Sequence, residues 1–149
     1  MEVCYRKAVR EDFSAINALF VEMLCTIYHK DQADGYHEAD MEYYFNGGED
    51  WICVAEAEGK IVGFLSIEVH REEQEYLYYD DFSVSAACRG QGIGGQLMDR
   101  AEEYANSLGL SAVVLHVEKS NESARRFYEK RGFSVLRDDG DRLCLLKHW

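Results

Sequence analysis

Arg89-Gly90-Gln91-Gly92-Ile93-Gly94-Gly95 is the segment of this 149-residue chain whose residue types and spacing most clearly point to chemistry. Glycines let the backbone turn sharply and let a ligand approach the amide N–H groups closely. A helical pattern begins at the same place, adding N–H donors without intrahelical partners and the positive end of a helix dipole. Together these features make a site for phosphate oxygens, and Arg89 can add a charge-assisted hydrogen bond. Two further residue types matter for proton transfer. Asp80-Asp81 places carboxylates inside a run otherwise rich in aromatics, and Tyr128 places a phenol on a later helical stretch.

The elements that must hold these groups follow from apolar spacing. Val3 to Ala8 reads as a first strand, with Asp12 as the N-cap of the next element. Phe13, Ile16, Leu19, Phe20, Met23, Leu24 and Ile27 recur at the spacing of an amphipathic helix. Residues 31–38 read as loop, and Met41, Tyr44 and Phe45 as a short second helix stopped by Gly47-Gly48. Trp51 to Ala57 and Ile61 to Val69, joined across Gly59, predict a β-hairpin. Tyr76 to Val84 is a third strand-like run, rich in aromatics. A long helix over Gly92 to Leu108, a strand over Ala112 to Val117 and a helix over Asn121 to Arg131 follow. Two last strands, Phe133 to Leu136 and Arg142 to Leu146, close the chain. The order β-α-α-β-β-β-α-β-α-β-β predicts an α+β (mixed α/β) fold, with one strand-helix-strand crossover among antiparallel strands.

Composition bounds the rest. The length suits one domain, with 47% hydrophobic and 30% charged residues. No apolar run is long enough to span a bilayer, and no signal peptide is visible, so a cytoplasmic protein is expected. The net charge of −12 argues against phosphate-backbone binding, so no nucleic-acid partner is expected. Five scattered cysteines suggest reduced thiols, with Cys88 beside Arg89 either a low-pKa thiol or filler. The five histidines form no ligand spacing, so no metal is expected, and His116 reads as core or rim filler.

Gly90, Gly92 and Gly95 also satisfy the G-x-G-x-x-G dinucleotide fingerprint, with Glu118 near the place of its ribose acid. The context excludes it. Three antiparallel-looking strands precede the loop, and too little chain follows for a dinucleotide-binding domain. Arg89-x-x-Gly92-x-Gly94 instead resembles the Gln/Arg-x-x-Gly-x-Gly/Ala signature of the GNAT superfamily of acetyl-coenzyme A-dependent N-acetyltransferases. Arg6-Lys7-Ala8 with Asp12 is similar to that family's opening strand and first helix. Val54-Ala55-Glu56 to Gly63-Phe64 is similar to its second and third strands. Asn121-x-x-Ala124-x-x-Phe127-Tyr128-x-x-x-Gly132-Phe133 is similar to its later helix-and-strand motif.

The resemblance implies a GNAT fold, a mostly antiparallel mixed sheet of six to seven strands flanked by helices, in a single domain over residues 1–149. It implies that Arg89, Gly90, Gln91, Gly92, Ile93 and Gly94 grip the coenzyme's pyrophosphate. Phe82 and Val84 would bond the pantetheine arm through their backbone. Asn121 and Ala124 would meet the coenzyme near a gap between the Tyr76 to Val84 and Ala112 to Val117 strands. Tyr128 matches the family's tyrosine general acid. Its pKa of ~10 against ~8.5 for a thiol makes full proton transfer uphill by about 2 kcal/mol, so a hydrogen bond can serve instead. A lysine-like amine, with a pKa of ~10.4, is only about 0.04% neutral at pH 7, so a base is needed. Strand alternation puts Tyr78, Asp80, Phe82 and Val84 on one face and Asp81 on the other. Asp80, where relatives of the spermidine/spermine kind carry glutamate, is therefore the expected base, acting through a water.

Tyr28, Asp31, Asp34, Tyr36, Glu38, Asp40, Glu42, Tyr43 and Tyr44 mix carboxylates with aromatics in the region expected to choose the acceptor. That mixture suits a small cationic amine of polyamine, aminoglycoside or lysine type. Two alternatives stand beside it: a protein N-terminal or lysine acetyltransferase, and a non-catalytic acyl-coenzyme A-binding regulatory domain. Family analogy also implies a homodimer. Nothing in the sequence fixes the length of the acyl chain.

Overall fold

Alternating burial along the strands turns the sequence pattern into one sheet with a core on each face. The computed structural model describes residues 1–149. Its strands are β1 (Val3–Lys7), β2 (Trp51–Ala57), β3 (Lys60–His70), β4 (Tyr76–Val84), β5 (Ala112–Glu118), β6 (Ser134–Asp138) and β7 (Arg142–His148). Their order is β1-β2-β3-β4-β5-β7-β6, and only the central β4–β5 pair is parallel. The expected mixed, mostly antiparallel sheet is what forms. The helices are α1 (Phe13–Tyr28), α2 (Ile93–Ser107) and α3 (Glu122–Lys130). None is long and apolar enough to cross a membrane.

The two faces carry different cores. Helix α2 turns Ile93, Leu97, Met98, Ala101 and Ala105 onto Leu65, Ile67, Leu77, Val113 and Leu115 of the sheet. Each fully buried leucine there contributes about 1.5–3 kcal/mol of hydrophobic free energy. On the other face, Ile16 and Leu19 of α1 join Tyr44, Ile52, Val54 and Phe64 in a smaller cluster. The site lies where β4 and β5 pass between these two cores.

Two local expectations change. The short second helix is a 3-10 helix, Glu38–Tyr44, held to the sheet by buried Met41 and Tyr44. Asp12 occupies the N-cap position of α1 but makes no cap bond there. Its carboxylate accepts instead from Arg6 (2.7 and 3.0 Å) and from the Val9 N–H at 2.8 Å. A charge-assisted pair satisfies a nearly buried carboxylate better than a single cap bond would.

Candidate active site

A gap opens between β4 and β5. Pairing runs only through Leu77↔Val113, Tyr78↔Val114 and Tyr79↔Leu115, although β4 continues to Val84 and β5 to Glu118. The last part of β4 stays paired to β3, through Leu65↔Phe82 and Gly63↔Val84. The Ser85 N–H donates to the Val62 carbonyl, so the antiparallel alternation turns the main-chain groups of Phe82 and Val84 away from β3. Those groups face the gap. The Val84 carbonyl already accepts from Arg89 Nε at 3.2 Å, which ties the loop to the strand.

The glycine loop sits at the same end. Gly90 and Gly92 have φ of 79° and 80°, left-handed values that a side chain would strain. Gly94 lies so close to β4 that a Cβ would come within 2.9 Å of the Phe82 ring. Helix α2 has no side-chain cap and no acidic residue in its first turn. The N–H groups of Ile93, Gly94 and Gly95 therefore lack intrahelical acceptors and keep the positive end of the dipole uncompensated. This donor set, with an exposed Arg89 and Gln91 on its rim, fits a pyrophosphate.

On β4 itself the expected alternation fails. Leu65↔Phe82 and Ile67↔Tyr79 are in register, so Asp80 and Asp81 both oppose Ser66 in a β-bulge. Phe82 and Val84 pack on the α2 core together with Leu77 and Tyr79. Asp80 and Asp81 instead both belong to the α1 face, where Tyr36 reaches Asp81. The reading that placed Asp80 on the same face as Phe82 and Val84, opposite Asp81, is thus corrected by one extra residue in the strand.

The α1 face of the gap is acidic and aromatic. The Tyr36 hydroxyl donates to Asp81 at 2.5 Å, while its ring stacks on Phe20 at 3.8 Å and its N–H donates to Asn17. Burial pushes the Asp81 carboxyl upward in pKa, and the Tyr36 bond opposes the rise. Asp80 is exposed as a residue, although neighbouring protein atoms partly desolvate its carboxylate. Desolvation first, then the charges of Asp81 and Glu68, push it up to about 6. Tyr43 and Tyr44 both donate to Glu68 Oε2 at 3.1 Å. No lysine or arginine forms an ion pair with these three carboxylates, although the charge of Arg142 opposes the rise at Asp80; among basic side chains, His70 meets Glu68 at 3.4 Å.

On the α2 face, Tyr128 is 8% exposed and packs edge-on against Phe127 and Phe133. Burial alone raises its phenol pKa, so it holds its proton. No protein group bonds its hydroxyl, and the oxygen is not among the sealed, unsatisfied ones. Asn121 caps α3, its Oδ1 accepting from the Ala124 N–H at 3.3 Å, while its amide nitrogen makes no bond within the protein. Ala124 packs on the α2 core beside Phe127.

Two residues at the gap, Glu68 and His116, fall outside the expected site. Glu68 shares the α1 face with Phe64 and Ser66, which strand alternation could have revealed. His116 is no filler: it lies between the Tyr78 hydroxyl (2.6 Å from Nδ1) and Asp139 (2.9 Å from Nε2). It also stands with Asp139 and Cys144 in a group whose ligand atoms span up to 4.8 Å. A zinc ion holding sulfur at ~2.3 Å and oxygen at ~2.0 Å cannot bridge the widest of these separations without rearrangement. Of the acidic loop residues, Glu42 pairs with Arg10, and Asp31, Glu38 and Asp40 are exposed. A surface cavity of about 450 Å³ between α1 and the β2–β3 turn lies away from the gap.

Comparison with known proteins identifies the family and the fold. The acetyltransferase (GNAT) family matches residues 20–133. A 5-NmdU N-acetyltransferase of Pseudomonas phage PaMx11 is 37% identical over 111 residues, covering 72% of this chain and 74% of that protein. A mycothiol acetyltransferase of Corynebacterium glutamicum (strain R) is 32% identical over 104 residues, 70% of this chain but 31% of that longer protein. The solved structure of PaiA N-acetyltransferase from Thermoplasma acidophilum, in complex with coenzyme A, shares the fold. It covers 100% of both chains with a TM-score of 0.83 at 19% identity. The chain belongs to the acetyltransferase (GNAT) family and is an acetyl-coenzyme A-dependent acyltransferase.

Proposed function

We propose that this enzyme moves the acetyl group of acetyl-coenzyme A directly to a small, cationic primary amine, within one N-acetyltransferase domain spanning the chain. The relatives' names, a 5-NmdU and a mycothiol acetyltransferase, do not share an acceptor, so the site must supply the argument. The observation that carries it is the set of three carboxylates, Asp80, Asp81 and Glu68, without a lysine or arginine partner beside the gap. Tyr43 and Tyr78 line the same face and add aromatic surface for an ammonium group. Such a face concentrates cations and repels anions.

The coenzyme supplies the acetyl thioester. The chain's part is to position and to move protons. The α2 N-terminus and Arg89 hold the pyrophosphate, while the gap-facing amides of Phe82 and Val84 orient the pantetheine arm. Asn121 offers its amide nitrogen near Ala124. Asp80 takes the amine proton through a water. With a pKa of about 6 it is roughly nine-tenths ionised at pH 7, yet still basic enough to accept. Tyr128 holds a hydrogen bond ready for the departing sulfur. Its raised pKa favours donation of a hydrogen bond over full transfer. A homodimer is inferred from family analogy, and a cytoplasmic setting from the five scattered free cysteines.

Thermal unfolding with and without acetyl-coenzyme A, using NADH as control, tests the loop's ligand. Thiol release is then followed with 1,4-diaminobutane, a peptide with a free N-terminus, and 4-aminobenzoate. The diamine should be the best acceptor. A preference for the peptide would select a protein acceptor, and acetylation of the anionic amine alone would overturn the cationic reading.

A further inference from the structure

Two adjacent carboxylates on one face of a strand repel each other, so the first proton taken up goes to one of them at the other's expense. The bulge opposite Ser66 creates that situation by turning both Asp80 and Asp81 to the α1 face. Their hydrogen bonds differ. Asp81 accepts from the Tyr36 hydroxyl at 2.5 Å. Asp80 has no such bond: the Tyr44 hydroxyl, which weakly favours its ionised form, donates to Glu68 instead. The buried Ser66 hydroxyl between the two strands bonds neither carboxylate.

Tyr36 is fixed from two further sides. Its N–H donates to Asn17 Oδ1 of α1 at 2.7 Å, and its ring stacks on Phe20 at 3.8 Å with 12° between the planes. The residue before it is Gly35, where a Cβ would clash with Asn17 Oδ1 and push that side chain off its bond. A backbone anchor and a ring stack thus set the direction in which the phenol donates. Burial first, then the charge of Asp81, raises the Tyr36 pKa far above the usual phenol value. The hydrogen therefore stays on Tyr36 and the charge on Asp81.

Burial alone would send the pair's proton to Asp81, the more enclosed residue of the two. A hydrogen bond to the charged form opposes this and is worth roughly ten- to a hundredfold in the ionisation equilibrium. Asp81 keeps its charge, which is the second cause, after desolvation, of the upward shift at Asp80. We propose that Tyr36 and Asp81 are a positioning pair for the base: Tyr36 holds Asp81 ionised, and that fixed charge makes Asp80 the carboxylate that takes the acceptor's proton. The ammonium gives a proton to the bridging water as that water gives one to Asp80. Asp80, exposed as a residue, then returns the proton to solvent. Tyr36 and Asp81 exchange no proton and act only through Asp80. The inference rests on the proposed amine acetylation with Asp80 as base.

The titratable and charged groups around the pair are Tyr36 in the loop after α1, Tyr43 and Tyr44 on the 3-10 helix, Glu68 with His70 on β3, Tyr78 on β4 and Arg142 on β7. The test follows kcat/KM between pH 5.5 and pH 8 in the full-length enzyme, with the best acceptor of the amine panel. With an Asp80 pKa of about 6, the unsubstituted enzyme should keep about one quarter of its pH 8 value at pH 5.5. Asp81→Asn retains the shape and an oxygen for Tyr36 but loses the charge, so Asp80 binds its proton less tightly. That variant should keep about half or more at pH 5.5. Tyr36→Phe should move the same way, because Asp81 without its donor protonates first and its charge disappears from beside Asp80. A role in the fold alone would lower activity without moving the acid limb. A limb that stays in place, or moves to higher pH, in either variant overturns the pair. Carboxyl-carbon NMR of the unsubstituted protein supplies an independent arm: Asp80 should take up its proton at higher pH than Asp81, and the reverse order refutes the assignment. If no amine releases thiol, or the limb survives Asp80→Asn, the fault lies with the acetylation reading or the base, and the carboxyl titration still judges the pair.

Discussion

Asp80→Asn should stabilise the fold while impairing the enzyme, and the two effects should follow pH in opposite ways. The Asp80 carboxyl is pushed from 3.8 up to about 6 by desolvation first and then by Asp81 and Glu68. A folded-state pKa above the unfolded one means the folded protein binds the proton more tightly. The associated stability is fully present below pH ~4 and is lost as pH rises through about 6. Converted without correction, the shift corresponds to about 3 kcal/mol at pH 8. Asp80 has an exposed edge, and solvent screening reduces this to about 1 kcal/mol. Asparagine removes the charge, so urea unfolding should show the variant about 1 kcal/mol more stable at pH 8 and equal to the parent near pH 4. In the same variant, kcat/KM should fall by about a hundredfold or more and the acid limb near pH 6 should vanish. A stability difference that does not change with pH would refute the electrostatic reasoning. An unchanged pH–rate profile would refute the base assignment.

Other perturbations test the remaining parts. Tyr128→Phe should lower kcat by about tenfold or more while acetyl-coenzyme A still raises the unfolding temperature, as read by thiol release and thermal shift. Gly92→Ala, at a φ of 80°, should cost about 1–2 kcal/mol in urea unfolding and weaken coenzyme binding in a thermal-shift titration. Tyr36→Phe leaves Asp81 without its hydrogen-bond donor, and should destabilise the fold by about 1–3 kcal/mol at pH 8. That loss should shrink on acidification, because a protonated Asp81 needs the donor less. Equal losses at pH 5 and pH 8 would contradict it.

The glycine loop, the two helices that follow it and the succession of strands along the chain were legible because they depend on local rules. Left-handed glycines, the three-and-four spacing of Ile93, Leu97, Met98 and Ala101, and short glycine turns are all written within a few residues. These local features singled out the glycine loop and Tyr128 as candidates. What the sequence could not show lies wherever strands from distant parts of the chain meet. Where β4 and β5 part depends on how α2 and α3 pack beneath them, which no window of sequence contains. The bulge at Asp80-Asp81 is a mismatch with Ser66 on another strand, so alternation within β4 alone misassigned the faces. The acidic loop read as the acceptor region turned out largely exposed, while the sheet residue Glu68 gathered the tyrosines. His116 had no partner in sequence, because Tyr78 and Asp139 reach it only through strand pairing and the β6–β7 turn. Local periodicity thus decided which elements form, and long-range register decided which side chains share the gap.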